Sequence, residues 1–246
     1  MNKKEAIVTG VVTFIVLLLG SKILFNPFSL ISRDLSTSIC PEVKYSFNTE
    51  KPLIALAINE SPDLNSIVPH TTLSILDVLA NHQAQATFFI VVNKAKDFPQ
   101  LITSIVDQGH ELGIYVTNDR SNMRLGNKPE TELIEANKFL GQFAAINWFY
   151  PSRGRCRIYM RKIAKRHKYK IALGSVLLDN PADSPSYIKQ NIRPGSILVL
   201  HDSDKKSDRQ GKTTVKILNK LIPQLQQQGY GFVTLSELDR ESRQVS

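Results

Sequence analysis

Apolar positions along the chain follow two rhythms that alternate from about residue 52 onward. Continuous apolar runs of strand length occur at Pro52 to Ile58 (PLIALAI), Ala86 to Val92 (ATFFIVV), Glu111 to Val116 (ELGIYV) and Ile146 to Pro151 (INWFYP). Three more follow at Lys170 to Val176 (KIALGSV), Ser196 to Asp202 (SILVLHD) and Gly231 to Leu238 (GFVTLSEL). Each reads as a buried strand. Between them the apolar residues recur at helical spacing, as in HTTLSILDVLANH, where Leu73, Leu76, Val78 and Leu79 share a face. The same spacing marks FPQLITSIVDQG, PETELIEANKFLGQF with its acidic first turn, and TVKILNKLIPQLQQQG. Strands separated by helices of this length build a parallel sheet or barrel with the helices outside. Functional residues then belong where the chain leaves the C-terminal ends of strands. Four polar stretches occupy such places: INESP, IYVTND, FYPSRG and LHDSD.

The N-terminus follows neither rhythm. Lys3 and Lys4 precede an uncharged apolar run from Ala6 to Gly20, extended by KILF beyond Lys22. A basic start and an apolar run without an A-x-A cleavage site favour an uncleaved signal-anchor over a cleaved signal peptide, with the lysines cytosolic and the bulk of the chain exported. This divides the chain into an anchor (residues 1–25), a linker and edge containing Pro27 and Pro41 (26–50), a globular domain (51–240) and a short tail (241–246).

Of the 246 residues, 42% are hydrophobic, enough for one substantial core. Two cysteines, Cys40 and Cys156, lie on the expected exported side, where a disulfide and two free thiols are both open readings. The formal charge of +9 is spread, with a concentration in RGRCRIYMRKIAKRHKYK from Arg153 to Lys170. That segment reads as an amphipathic helix whose outer face is either merely solvated or a contact for an anionic polymer or lipid. Export argues against nucleic acid as a partner.

Six frames, in order, resemble the polysaccharide deacetylases, the NodB-homology domain of carbohydrate esterase family 4: ALAINESP, ILDVLANHQAQATFFIVV, DQGHELGIYVTND, FYPSRG, RPGSILVLHD and QQQGYGFVTLSEL. The resemblance runs from about Leu53 to Leu238. It implies a distorted (β/α) barrel of parallel strands. It also implies metal-assisted removal of N-acetyl groups from a glycan, in which a divalent ion, usually zinc, polarises the carbonyl and activates water, an aspartate takes a proton and a histidine protonates the departing amine.

Carried over position by position, the resemblance puts Asn59 at the place of the general base and Glu60 at a metal-ligand place. An amide cannot accept the proton, and beyond Glu60 the nearest carboxylate is Asp63, which also reads as a turn or helix-cap residue. Tyr115 and Asp119 fall at the two histidine ligand places, and NDRS fits a branch of the family with aspartate at the second. A phenol is a poor zinc ligand: Tyr115 reads either as an aromatic closing the former metal pocket or, with Glu60 and Asp119, as part of an oxygen-rich set that suits Mg²⁺ or Mn²⁺ better. Tyr150 replaces the arginine that holds the base, with Pro151 and Arg153 in the same substrate-side loop. His201 keeps the place of the catalytic acid, and Asp179 or its neighbour Asn180 that of the carboxylate orienting it. His110 sits in the GHE frame as a structural residue. The expected function is therefore that of a deacetylase-like protein acting on or binding an envelope glycan with its standard activity in doubt, or else a non-catalytic glycan-binding or assembly factor.

Overall fold

Strand β2 (Leu53–Ser61) is the centre of the molecule, and in this computed structural model the side chains from Ile54 to Ile58 are fully buried. An uninterrupted apolar strand covered on both faces is what a parallel sheet between helices requires. The structure describes residues 43–62, 69–117, 128–177, 185–202 and 209–244. All of these fall in one compact unit, Glu42–Ser246. Among the described residues no helix is long and apolar enough to cross a membrane; the N-terminal candidate span lies outside them.

The remaining strands are β1 (Val43–Lys44), β3 (Thr87–Ile90), β4 (Glu111–Val116), β5 (Trp148–Pro151), β6 (Lys170–Ala172), β7 (Val176–Leu177), β8 (Ile197–His201) and β9 (Gly231–Val233). They form one parallel sheet in the order β1-β6-β5-β4-β3-β2-β8-β7, with β9 also paired to β2. The helices are α1 (His70–Asn81), α2 (Val92–Ala95), α3 (Pro99–Asp107), α4 (Lys128–Leu140), α5 (Ile158–His167), α6 (Pro185–Asn191), α7 (Arg209–Gln226) and α8 (Leu235–Arg243). The expected alternation of parallel strands and helices is present. The sheet is an open, barrel-like one whose path ends at β1 and β7, and among the described residues these two do not pair.

Three boundaries differ from the sequence reading. The run KIALGSV is two strands: β6 lies between β1 and β5, whereas β7 lies at the other end of the sheet beside β8. The break is at Gly174, with φ of 80°, where a Cβ would stand 2.3 Å from a Val199 methyl group. Only glycine permits that crossing. The run GFVTLSEL is a three-residue strand followed by a helix, because Thr234 caps α8 and its side chain accepts from the Glu237 amide. TLSE has the spacing of a capping box, a helix-start signal within an otherwise strand-like run. Finally, β2 continues through Asn59, Glu60 and Ser61, which as polar residues read as a turn.

A polar cluster ties α8 to the sheet at the end opposite the strand C-termini. Glu111 accepts from Thr87 Oγ1 at 2.7 Å and from the Ser236 amide at 3.1 Å, near the α8 N-terminus where a negative charge is favoured. Trp148 Nε1 donates to Ser236 Oγ at 2.9 Å. Beside this cluster His110 is buried; its Nδ1 accepts from the Ala86 amide at 3.3 Å, and Phe88 packs on its ring. It is a core residue, as the GHE frame suggested.

Burial lowers the His110 pKa from 6.5 to about 4. Between those values the unfolded chain binds a proton that the folded chain does not, so stability falls as the pH drops from 6.5 towards 4. Replacing His110 with Gln should flatten this limb of a urea-denaturation profile recorded against pH, while the limb below pH 4 keeps its carboxylate dependence.

Candidate active site

The C-terminal ends of β2, β4, β5 and β8 meet at one end of the sheet and carry six of the residues singled out from the sequence, Asn59, Glu60, Tyr115, Tyr150, Pro151 and His201. Asn59 is registered with His201 across β2 and β8, so their side chains share a face. Tyr115 is registered in the same way with Tyr150 across β4 and β5. The backbone of the His201 loop is pinned from two sides. Asp202 donates its amide to the Asn59 carbonyl at 2.9 Å, and Thr214 Oγ1, from α7, donates to the His201 carbonyl at 2.7 Å. Asp202 is fully buried and accepts from Thr72 Oγ1 of α1 at 2.7 Å. Thr72 and Thr214 belong to this scaffold, yet a threonine on a helix gives no sequence signal of such a role.

Glu60 has a left-handed backbone, with φ of 63°, and its carboxylate is buried. A residue with a Cβ pays for that conformation, and non-glycine residues held there concentrate at functional or switch sites. Its Oε1 accepts a hydrogen bond of 2.7 Å from the Tyr115 hydroxyl. Tyr115 is itself buried and stacks on Tyr150 at 5.9 Å between centroids with the rings 9° from parallel. Tyr150 in turn leans on Phe89 at 5.5 Å. Gly154, with φ of 58°, closes the loop over Tyr150, whose hydroxyl lies 2.9 Å from the place a Cβ would take. Burial first, and then the charge and hydrogen bond of Glu60, push the Tyr115 pKa far above that of an ordinary tyrosine, although the Ser152 hydroxyl acts against the shift. The phenol therefore remains a proton donor.

Asn59 is fully buried, and neither Oδ1 nor Nδ2 has a hydrogen-bond partner. Buried polar atoms without partners are uncommon and costly. Here they stand beside His201, where a proton acceptor is expected, and an amide has no proton-accepting state at ordinary pH.

A zinc site that performs hydrolysis needs three protein donors and an open position. Among the described residues no group of three His, Cys, Asp or Glu is placed to hold an ion. Tyr115 would have to lose a proton that burial and Glu60 hold in place, and the Oε1 of Glu60 is already engaged. The described donors do not make a zinc centre. Asp119, Asp63, Asp179 and Asn180 lie outside the described residues, as does the side chain of Arg153, whose backbone forms a short 3-10 turn after Pro151. Cys156 is disulfide-bonded, which settles the open reading of that thiol.

The parallel sheet with its candidate site at the strand C-termini places the chain among the barrel-like α/β proteins. The polysaccharide deacetylase family model matches residues 47–172. A peptidoglycan-N-acetylglucosamine deacetylase of Bacillus cereus is 32% identical over 202 residues, covering 78% of this chain and 90% of the relative. A chitooligosaccharide deacetylase of Sinorhizobium fredii is 30% identical, covering 74% and 89%. The chain belongs to the polysaccharide deacetylase family. Among solved structures, a peptidoglycan N-acetylglucosamine deacetylase superposes with a TM-score of 0.66 at 28% identity, covering 80% of this chain and 92% of its own. A Bacillus anthracis pseudoenzyme of carbohydrate esterase family 4 shares the fold, with a TM-score of 0.66 at 22% identity, covering 81% and 69%.

The Glu60–Tyr115 pair is testable in isolation. Tyr115→Phe leaves a buried carboxylate short of a donor and should lower the unfolding free energy by about 1–3 kcal/mol in urea melts. Above pH 10.0 the unfolded chain ionises this tyrosine while the folded chain retains its proton, so wild-type stability falls as the pH rises. The variant should lose that part of the alkaline slope.

Proposed function

We propose that this protein binds an N-acetylated envelope glycan in the cleft at the strand C-termini and carries out little or no deacetylation. The observation that carries the reading is Asn59: a buried amide, unpartnered at both polar atoms, at the place where the reaction needs a base. The protonated Tyr115 at a ligand place and Tyr150 at the place of the base-holding arginine support it. The names of the peptidoglycan and chitooligosaccharide deacetylase relatives support an N-acetylhexosamine polymer as the ligand. The basic, apolar N-terminus supports placing the domain on the exported side of a membrane, tethered by residues 1–25. Glu60 then serves to shape the cleft, and Pro151 and Arg153 its lip.

The test compares acetate release with binding. Wild-type domain supplied with zinc or manganese should release no acetate above background from acetylated chitooligosaccharides or peptidoglycan strands. Calorimetric binding of the same ligands should survive both His201→Ala and chelation. The combined substitution Asn59→Asp, Tyr115→His and Tyr150→Arg should raise acetate release by about 100-fold or more, since one acid–base group contributes roughly 10²- to 10⁴-fold. Wild-type release abolished by His201→Ala, together with a stoichiometric ion lost on Asp119→Ala, would overturn the reading in favour of a remodelled hydrolase.

A further inference from the structure

The segment from Arg153 to Lys170 holds nine Lys or Arg and no Asp or Glu, in a chain whose whole formal excess is +9. Helix α5 explains how that charge is arranged. Met160, Ile163 and Ala164 are buried, while at 100° per residue Arg161, Lys162, Lys165 and Arg166 fall on the outer side, with Ile158 exposed among them. Among the described residues, Glu130 of α4 reaches this surface: it accepts from Arg166 at 2.7 Å and lies 2.8 Å from His167. No ion pair among the described residues engages Arg155, Lys162, Lys165 or Lys168.

The position of this surface matters as much as its charge. Strand β5 ends at Pro151 beside Tyr150, so the 3-10 turn, Arg155 and the first turn of α5 follow directly on a strand end that carries the candidate site. Helix α5 then runs back to Lys170, the first residue of β6, which is parallel to β5. Its second half therefore lies towards the far end of the sheet. A polymer seated in the cleft and extending past β5 meets the cations nearest the site first.

We propose that the cleft-side half of this surface, centred on Arg155 and Lys162, selects an anionic glycan strand, one whose sugars carry carboxylate or phosphate groups, over a neutral one. The inference rests on the glycan-cleft reading and adds the class of polymer. A neutral chain would leave the cations solvated. A negatively charged chain is drawn along the surface, with the effect greatest at low ionic strength and screened by salt.

The experiment uses three probes: a neutral chitooligosaccharide, a peptidoglycan-derived strand of equal length with free lactyl carboxylates, and vesicles containing phosphatidylglycerol. Wild type should bind the carboxylated strand roughly tenfold more tightly than the neutral one at low salt, equivalent to about 1.4 kcal/mol. Arg155→Glu with Lys162→Glu should abolish this preference and leave the neutral affinity unchanged. Lys165→Glu with Lys168→Glu makes the same change in net charge at the far end and should retain it. Equal loss in both pairs, or vesicle binding lost equally in both, overturns the proposal in favour of a general polyanion or lipid surface. Equal wild-type affinity for the two strands overturns it and leaves the cleft reading intact. Binding of neither strand defeats the cleft reading, and the proposal with it.

Discussion

Strand β2 is paired to β3, β8 and β9 and covered on both faces, and this enclosure constrains everything at the site. Its last residues, Asn59, Glu60 and Ser61, are polar yet remain within the buried strand. A charge placed there cannot turn to water, so the Glu60 carboxylate needs a donor from a neighbouring element. Tyr115 supplies it. That hydrogen bond occupies a carboxylate oxygen and adds to the burial that keeps the phenol protonated, and it holds an aromatic ring beside the end of β2.

The residues at these strand ends form one arrangement. Tyr115 and Tyr150 are cross-strand partners, and near-parallel rings at that register pack against each other and against Phe89. A cation at position 150 would lack a carboxylate at position 59 to meet, and a histidine at 115 alone would face Glu60 without the stacking ring it now has. Asn59 is the exception. Nothing among the described residues satisfies its amide, so the cost of this polar group is borne by the fold or met by a bound ligand.

Much of this was legible in the sequence. The apolar runs locate the strands because burial on both faces leaves no polar positions to confuse the pattern, and the described parts of the four stretches at strand ends meet at one site because parallel topology brings C-termini together. What could not be read was pairing in space. KIALGSV looks like one strand because nothing local reports that Gly174 lets the chain cross to the other end of the sheet. Glu60 and Tyr115 read as joint ligands of an ion, since both are oxygen donors at ligand places; that they bond to each other depends on burial and on a strand register no local pattern contains. The capping spacing in TLSE was present in the sequence, but a strand-like apolar rhythm in GFVTLSEL outweighed it.

Trp148 gives the molecule an internal reporter. It is the chain's one tryptophan, fully buried, with its indole nitrogen bonded to Ser236 of α8 and the Lys170 ammonium 5.2 Å from its ring centre. Its emission therefore senses whether the C-terminal helix is seated on the sheet. Because it also lies two residues before Tyr150 on the same strand, a single fluorophore links the seating of that helix to a strand of the candidate site.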